Sequence, residues 1–163
     1  MLRSLVGSEM CIRDRARVST ASGAISSHND YYEVGSNTTQ FGTGKWTTEK
    51  LNAGTFSTDT GRFTATKAVF YLCSGTLIWG AMDDGQNLYV LLSKNGATAT
   101  AAGVFAYERQ HCGADNNGIA ISVAGQVELN GSSDYVSMFW NASNTSQTTV
   151  SVGTRISCAY VGT

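Results

Sequence analysis

Histidine offers the widest chemistry of any side chain at neutral pH, because imidazole can act as a general base or bind a metal ion. The chain has two histidines, His28 and His111. Neither belongs to a GxSxG or HExxH pattern, and the sequence has no phosphate-binding glycine loop. The twelve Asp and Glu residues are scattered, so no pair stands out as the two carboxylates of a glycoside hydrolase. We therefore predict solvated histidines, no catalytic residue and no enzyme activity.

Oxygen-rich loops are the next candidates, because carboxylate and amide oxygens are the ligands that calcium prefers. Residues 83–84 (Asp-Asp) form one such loop and residues 115–117 (Asp-Asn-Asn) form another. An ordinary polar turn is the preferred interpretation of both, so we predict no cofactor and no metal site, with calcium as the lesser alternative. Asp30 with Tyr31 and Tyr32 fits either a carbohydrate-contacting platform or an ordinary exposed loop, and the loop is preferred.

The cysteines are widely spaced, at Cys11, Cys73, Cys112 and Cys158. No CxxC pair is present, so a structural zinc site is not expected. Cys73 and Cys158 lie in apolar, strand-like runs, and the preferred interpretation is that they are small buried hydrophobic residues. A disulfide between two of the cysteines remains open, because spacing alone does not fix their geometry.

Four asparagines begin N-x-Ser/Thr sequons: Asn37, Asn130, Asn141 and Asn144. Such triplets arise freely in a chain rich in Asn, Ser and Thr. They matter only if the protein passes through a eukaryotic secretory pathway.

Composition excludes several functional classes. The 163 residues carry a net charge of −1, and only 14% are charged against 42% hydrophobic. A nearly neutral, charge-poor chain gives no electrostatic attraction to nucleic acid. No apolar run approaches the roughly 20 residues that span a bilayer. We expect one domain without a membrane span or a nucleic-acid partner.

The first fifteen residues differ in character from the rest. "SLVGSEMCIRDR" (residues 4–15) closely resembles translated sequencing-adapter read-through. Residues 1–15 are therefore expected to lie outside the fold, as an adapter-derived artefact, and residues 16–163 to form the domain.

Short runs of alternating apolar and polar residues predict strands along the remaining chain. No run of useful length has the 3.6-residue period of a helix, so an antiparallel sandwich or barrel of nine or ten strands is expected. "STDTG" (residues 57–61) predicts a tight turn with Gly61 at positive φ, and Trp46 and Leu51 are expected to point inward. The predicted strands cover residues 16–22, 62–80, 88–92, 104–113, 119–123, 127–129, 135–140, 148–153 and 154–163.

Several of these segments, in order, resemble the C1q-like domain, a relative of the tumour necrosis factor (TNF) jelly roll. They are "GTFSTDTGRFTATKAVFYLCSG", "YVLLSKNG", "VELNGSSDYVSMFW" and "RISCAYVGT", with "ARVSTAS" matching the first strand. The sequence departs from the family pattern at Val69, Ser133 and Ala159, where glycine is common. The resemblance covers residues 16–163 and implies an all-β, antiparallel jelly-roll sandwich of about ten strands that assembles as a homotrimer.

Large apolar side chains are the candidates for the core or the trimer seam. The run 69–72 is apolar on both faces and would need cover on each side. For any one residue, packing within a single subunit is an equal alternative to packing between subunits. The candidates are Phe63, Val69, Phe70, Tyr71, Tyr89, Tyr135, Phe139 and Tyr160.

The resemblance implies a non-enzymatic head for recognition or display. One expectation is the receptor-binding or structural tip of a phage tail fibre or other virion protein. The alternative is a secreted or cell-surface recognition or signalling protein of a cellular organism. Either would act in a virion or outside the cell and contact a surface glycan or protein receptor, whose identity the sequence does not specify.

Overall fold

The computed structural model describes residues 13–18, 31–34, 46–50, 54–80, 84–96, 103–113, 118–143 and 153–161. Over these residues the chain forms strands and no helix, so no helical span long and apolar enough for a bilayer occurs within them. The strands are β1 (Arg13–Val18), β2 (Tyr32–Glu33), β3 (Trp46–Lys50), β4 (Gly54–Ser57), β5 (Arg62–Ala65), β6 (Ala68–Trp79), β7 (Asn87–Lys94), β8 (Val104–His111), β9 (Ile119–Asn130), β10 (Tyr135–Ala142) and β11 (Arg155–Tyr160).

The described strands form two antiparallel sheets. Sheet A has the order β3-β1-β11-β6-β9, and sheet B has the order β4-β5-β10-β7-β8, with β2 also paired to β10. Apart from the consecutive pairs β4–β5 and β7–β8, most neighbours in each sheet are far apart in sequence, and the chain repeatedly crosses from one sheet to the other. This arrangement confirms the predicted antiparallel jelly-roll sandwich.

The core lies between the sheets because each strand turns alternate side chains inward. In β6 the buried set includes Tyr71, Leu77 and Trp79, each 1% exposed or less. Trp79 packs against Trp140 of the opposite sheet, with ring centroids 4.4 Å apart. Tyr71 packs against Phe63 at 5.6 Å in the same way.

The predicted single strand over residues 62–80 is wrong. The chain leaves sheet B at the end of β5 and enters sheet A at the start of β6, so the two halves belong to different sheets. The inward positions have the same parity on both sides of the link, since Ala65 and Tyr71 are both buried, although Lys67 between them is exposed. A pattern of period two does not reveal this crossing, because both halves face the same core.

The predicted break between residues 123 and 127 is also wrong, since β9 runs unbroken from Ile119 to Asn130. Gly125 does not turn the chain. A Cβ atom at this position would lie 2.8 Å from the Ala106 Cβ and 3.0 Å from the Phe105 ring. Glycine is therefore needed for the close approach of β8 to β9, and not for a turn.

Several local predictions are confirmed. The turn after β4 closes with the Gly61 N–H donating to the Ser57 carbonyl oxygen at 2.8 Å, and Gly61 has φ of 69°. Trp46 is 2% exposed, whereas Leu51 and residues 148–152 lie outside the described residues.

The first strand begins at Arg13, three residues before the predicted start of the domain. Arg13–Val18 pairs with β11 from the Arg13–Ala159 pair to the Arg17–Arg155 pair. Residues 1–12 lie outside the described residues. The assignment of residues 1–15 to adapter sequence therefore stays a prediction.

Cys73 and Cys158 form a disulfide between β6 and β11, and not only a buried apolar pair as preferred from the sequence. The two residues are direct partners in the antiparallel register, with Cα atoms 4.2 Å apart. Both are buried, and Cys112 is buried and takes no part in this disulfide. Strand pairing supplies the geometry that the spacing of the cysteines could not reveal.

Candidate functional site

The outward face of sheet A carries an exposed apolar strip, formed by Phe70, Leu72 and Val161. Their exposed fractions are 47%, 52% and 46%. Phe70 and Leu72 alternate along β6 with Tyr71 and Cys73, which face the core. Val161 lies beside them, because its N–H donates to the Phe70 carbonyl oxygen at 2.8 Å. Three large apolar side chains thus lie together on one open face.

The described residues that pair directly with Phe70 and Leu72 are small or uncharged, with one exception, and Arg13 of β1 lies one strand further along the Leu72 row, paired with Ala159. Leu72 pairs with Ala159 of β11 on one side and with Gln126 of β9 on the other. Two residues further along β6, Ser74 pairs with Ala124 of β9 on the same face. The exception is Glu128, which pairs with Phe70. Such a face permits close contact with another protein surface, because few charges would need to be desolvated.

The residues proposed as core or seam from the sequence divide into three groups. Phe63 and Tyr71 are buried between the sheets, and Phe139 is buried on the outward side of sheet B, away from the main core cluster. Phe70, on sheet A, is the only one of these eight candidates that is exposed. The other four are partly buried: Val69, Tyr89, Tyr135 and Tyr160.

A second surface lies on the outward face of sheet B, and we call it the tyrosine patch: Tyr31, Tyr89, Tyr107 and Arg109. The rings of Tyr89 and Tyr107 are 6.1 Å apart. The Arg109 guanidinium carbon lies 5.8 Å from the centre of the Tyr89 ring. Tyr89 pairs with Arg109 across β7 and β8, and Leu91 pairs with Tyr107.

Polar side chains border the tyrosine patch. Asn87 Oδ1 accepts a hydrogen bond from Arg109 Nε at 3.1 Å and lies 3.2 Å from Nδ1 of His111. Burial raises the pKa of the Tyr31 hydroxyl, and the nearby Tyr89 adds to this. Burial, followed by the neighbouring tyrosines, also raises the pKa of Tyr107. Both hydroxyls therefore remain protonated and able to donate hydrogen bonds at neutral pH.

A related arginine–tyrosine pair stands elsewhere on sheet B. The Arg62 guanidinium lies 4.5 Å from the centre of the Tyr135 ring. Glu33 accepts hydrogen bonds from Arg62 Nε at 2.7 Å and Nη2 at 2.8 Å. This second arginine already holds a carboxylate in a bidentate pair.

The Asn130 side chain organises the connection between β9 and β10. The Asn130 Oδ1 accepts hydrogen bonds from the backbone N–H groups of Ser132, Ser133 and Asp134 at 2.9–3.0 Å. The Asn130 side chain is thus engaged in the turn.

The four sequons differ in the position of their asparagine. Asn130 is held in the turn between β9 and β10, and Asn141 is only 4% exposed. Asn37 and Asn144 lie outside the described residues.

Metal-binding chemistry finds no support within the residues that the structure describes, where no group of three His, Cys, Asp or Glu residues is placed to hold an ion. Asp83 and residues 115–117 of the calcium-type loops lie outside that part of the chain, as do His28 and Asp30. Asp84 and His111 are exposed. The calcium alternative therefore stays a prediction.

Sequence reasoning missed Val161 and Arg109 as surface-site residues. Val161 follows the last strand, and only its hydrogen bond to Phe70 brings it to the strip. Arg109 is one of eleven basic residues, and nothing in its local sequence marks its position beside Tyr89. The alternation of Phe70 and Leu72 with Tyr71 was the one usable signal, since it placed two apolar side chains on a common face.

Comparison with solved structures identifies the fold. A crystal structure of murine APRIL at pH 5.0 superposes with a TM-score of 0.57 at 11% identity, covering 91% of this chain and 99% of that one. Murine APRIL at pH 8.0 gives 0.53 at 13% identity with the same coverage. The fold is a TNF/C1q-like jelly roll.

The structure of Eiger TNF from S. frugiperda is a weaker neighbour of this TNF/C1q-like jelly roll. It gives a TM-score of 0.47 at 10% identity, covering 90% of this chain and 94% of that one, which is too low to support an argument. No protein-family model and no curated protein matches the sequence. At identities this low, the likeness concerns the fold alone.

Proposed function

We propose that this chain is a non-enzymatic jelly-roll head that assembles as a homotrimer and serves recognition or display outside the cell. The observation that carries the proposal is the apolar strip. Soluble domains rarely leave large apolar side chains clustered on an open sheet face unless another surface covers them. A second and third copy of the same chain provide that cover by symmetry, as the C1q-like resemblance implies.

The energy of covering the strip is sufficient to matter. Complete burial of one such side chain contributes about 1.5–3 kcal/mol, and these three are about half-buried already. Covering the remainder therefore contributes roughly 3 kcal/mol per subunit before the cost of association. The strip is one part of the contact, and the small side chains around it allow the approach of further surface.

The finer proposal is that the head forms the tip of a phage tail fibre or other virion protein. It depends on the adapter-like leader, which is typical of environmental assemblies. The second candidate is a secreted or cell-surface recognition protein of a cellular organism. The Cys73–Cys158 disulfide favours this candidate, because disulfides persist in oxidising compartments and a phage protein is made in a reducing cytosol. Recovery of the natural gene would separate the two: a fibre shaft upstream supports the first, and a signal peptide supports the second.

A charge placed in the apolar strip tests the trimer directly. Leu72→Glu would bring a carboxylate into the covered seam, so light scattering should report a trimer for the natural chain and a monomer for the variant. Thr55→Glu adds the same charge on the exposed side of β4 and should remain trimeric. A natural chain that stays monomeric at micromolar concentration contradicts the proposal, and so does a Leu72→Glu variant with unchanged mass.

A further inference from the structure

The tyrosine patch on sheet B presents polar groups that the described residues do not engage. Tyr107 is 50% exposed, so one face of its ring is open to solvent. No described residue hydrogen-bonds to the hydroxyl of Tyr89 or Tyr107. Aromatic rings with free hydroxyls can pack against an apolar ligand face and bond its polar edge at once.

Arg109 is positioned for a ligand in the same way. Its Nε donates to Asn87 Oδ1 at 3.1 Å, and the guanidinium lies against the Tyr89 ring, so the group is fixed at two points. No described carboxylate pairs with its terminal nitrogens Nη1 and Nη2. Glu108, which precedes Arg109 in β8, projects to the opposite face of the sheet because side chains alternate along a strand.

The Arg62–Tyr135 pair of the same sheet resembles the Arg109–Tyr89 pair, but it also includes a carboxylate. Both guanidinium groups lie against a tyrosine ring, Arg62 against Tyr135 and Arg109 against Tyr89. Arg62 holds the Glu33 carboxylate through two hydrogen bonds of 2.7 and 2.8 Å. Arg109 has the ring and the fixed guanidinium, but no carboxylate partner in the part of the chain that the structure describes. The Glu33 carboxylate thus illustrates the group that would complete the second site.

We propose that the tyrosine patch binds an acidic saccharide, with the sugar ring against Tyr107 and Tyr89 and its carboxylate on Arg109. The inference rests on the proposed recognition function and names its ligand class and the residues that bind it. Asn87 and His111 lie at the border of the patch and offer further hydrogen bonds to sugar hydroxyls. The Tyr107 hydroxyl acts as a donor, because its raised pKa keeps it protonated at neutral pH.

The size of the patch favours a saccharide over a protein partner. Each aromatic residue presents at most about 150–250 Å². A standard protein interface needs about 800 Å² from each partner. The patch does not supply this area, because Tyr107 is only half exposed and Tyr31 and Tyr89 are more buried than Tyr107. Two rings 6.1 Å apart can instead be covered by one or two sugar rings. One arginine is also enough for one carboxylate, whereas an acidic peptide would present several.

Isothermal titration calorimetry of the full chain tests the proposal. The probes are sialyllactose and a galacturonate trisaccharide, with lactose as the neutral counterpart and hexaglutamate as the acidic peptide. We expect one or both acidic saccharides to bind at least about tenfold more tightly than lactose, since a charge-assisted bidentate pair contributes that much. Arg109→Gln should remove this preference, and Tyr107→Ala should weaken binding of every saccharide. Gln110→Ala, on the opposite face of β8, should bind as the natural chain does.

Each contrary outcome overturns the saccharide proposal. Equal binding of lactose, unchanged binding by Arg109→Gln, or tight binding of hexaglutamate alone would each do so, as would no heat with any saccharide at millimolar concentration. Light scattering on the same samples keeps the two hypotheses apart. A trimer that binds no saccharide overturns this inference and leaves the proposed function intact, whereas a monomer contradicts the proposed function itself.

Discussion

Asp134 fixes the turn between β9 and β10, and its carboxylate accepts hydrogen bonds from three residues. Its Oδ1 accepts from Asn95 Nδ2 at 2.8 Å, and its Oδ2 accepts from the Asn130 N–H and from Lys94 Nζ, both at 2.9 Å. The hydrogen bonds from Asn95 and Lys94 hold the pKa of the Asp134 carboxyl below its usual range. The ionised form is therefore favoured in the folded state.

The first prediction concerns the pH dependence of stability. A carboxyl group with a depressed pKa stabilises the fold above its unfolded pKa, near 3.9, and loses that contribution as pH falls through the lower folded value. Asp134→Asn should lower the free energy of unfolding by about 1–2 kcal/mol at pH 7. The difference between variant and natural chain should shrink below about pH 4.

Urea unfolding at pH 7 and pH 3 measures both quantities. Asp59→Asn, at an exposed turn position, is the matched control and should change little at either pH. A difference between the Asp134 variant and the natural chain that stays constant with pH would contradict the account.

Single residues were predictable where their own chain neighbours determine the conformation. Gly61 follows a run of turn-forming residues, and its positive φ was expected. Arg109 was not expected in any role, because its position depends on Asn87 and Tyr89 across the strand pair β7–β8. Contacts between distant segments leave no trace in the local sequence around either partner.

At the scale of strands, the Cys73–Cys158 disulfide fastens two central neighbours of sheet A. It joins residues 85 apart in sequence, so it closes a long loop in the unfolded chain. Restricting a loop of that length typically stabilises a fold by about 2–5 kcal/mol. The bond also links β11 to β6, the two strands that carry the apolar strip.

The second prediction follows from this link. A reducing agent should lower the urea midpoint of the natural chain by an amount equivalent to about 2–4 kcal/mol. The double variant Cys73→Ala/Cys158→Ala should already show the lower midpoint and should not respond to the reductant. Cys112→Ala should keep the full response, because Cys112 takes no part in the disulfide. A natural chain whose midpoint ignores the reductant would contradict the disulfide.

The sequence predicted where strands lie better than it predicted which sheet each strand joins and where each strand ends. Alternation identified β7, β10 and β11 correctly, because one side of each faces the core. It could not separate β5 from β6, since the chain changes sheets at residues 66–67 and the inward positions keep the same parity on both sides. It also divided β9 at Gly125, because glycine breaks the pattern for a reason that lies in β8.

At the scale of the whole molecule, the two outward faces differ in what they need. The apolar strip on sheet A has a hydrophobic surface and needs cover, whereas the tyrosine patch on sheet B has polar groups and can remain in water. This division predicts that assembly uses sheet A and leaves the patch of each subunit open to a ligand. The resemblance predicted the jelly roll, but only the register of β6 and β11 placed Val161 beside Phe70.

The third prediction separates assembly from folding. Phe70→Ser should weaken the trimer while the monomer stays folded, because 47% of the Phe70 side chain lies outside the subunit's own packing. Phe63→Ser, at a fully buried position, should unfold the chain or lower its stability by about 3 kcal/mol or more. Circular dichroism and light scattering on both variants distinguish the two effects. A Phe70→Ser variant that unfolds would assign Phe70 to the subunit's own core.

Sedimentation equilibrium of the natural chain, from submicromolar to high micromolar concentration, tests the central claim most directly. That claim is that copies of this jelly roll cover one another's apolar strip. The account predicts a species with three times the 17.3 kDa mass of one chain, and dissociation only on dilution. A single species of 17.3 kDa across the whole range would contradict it.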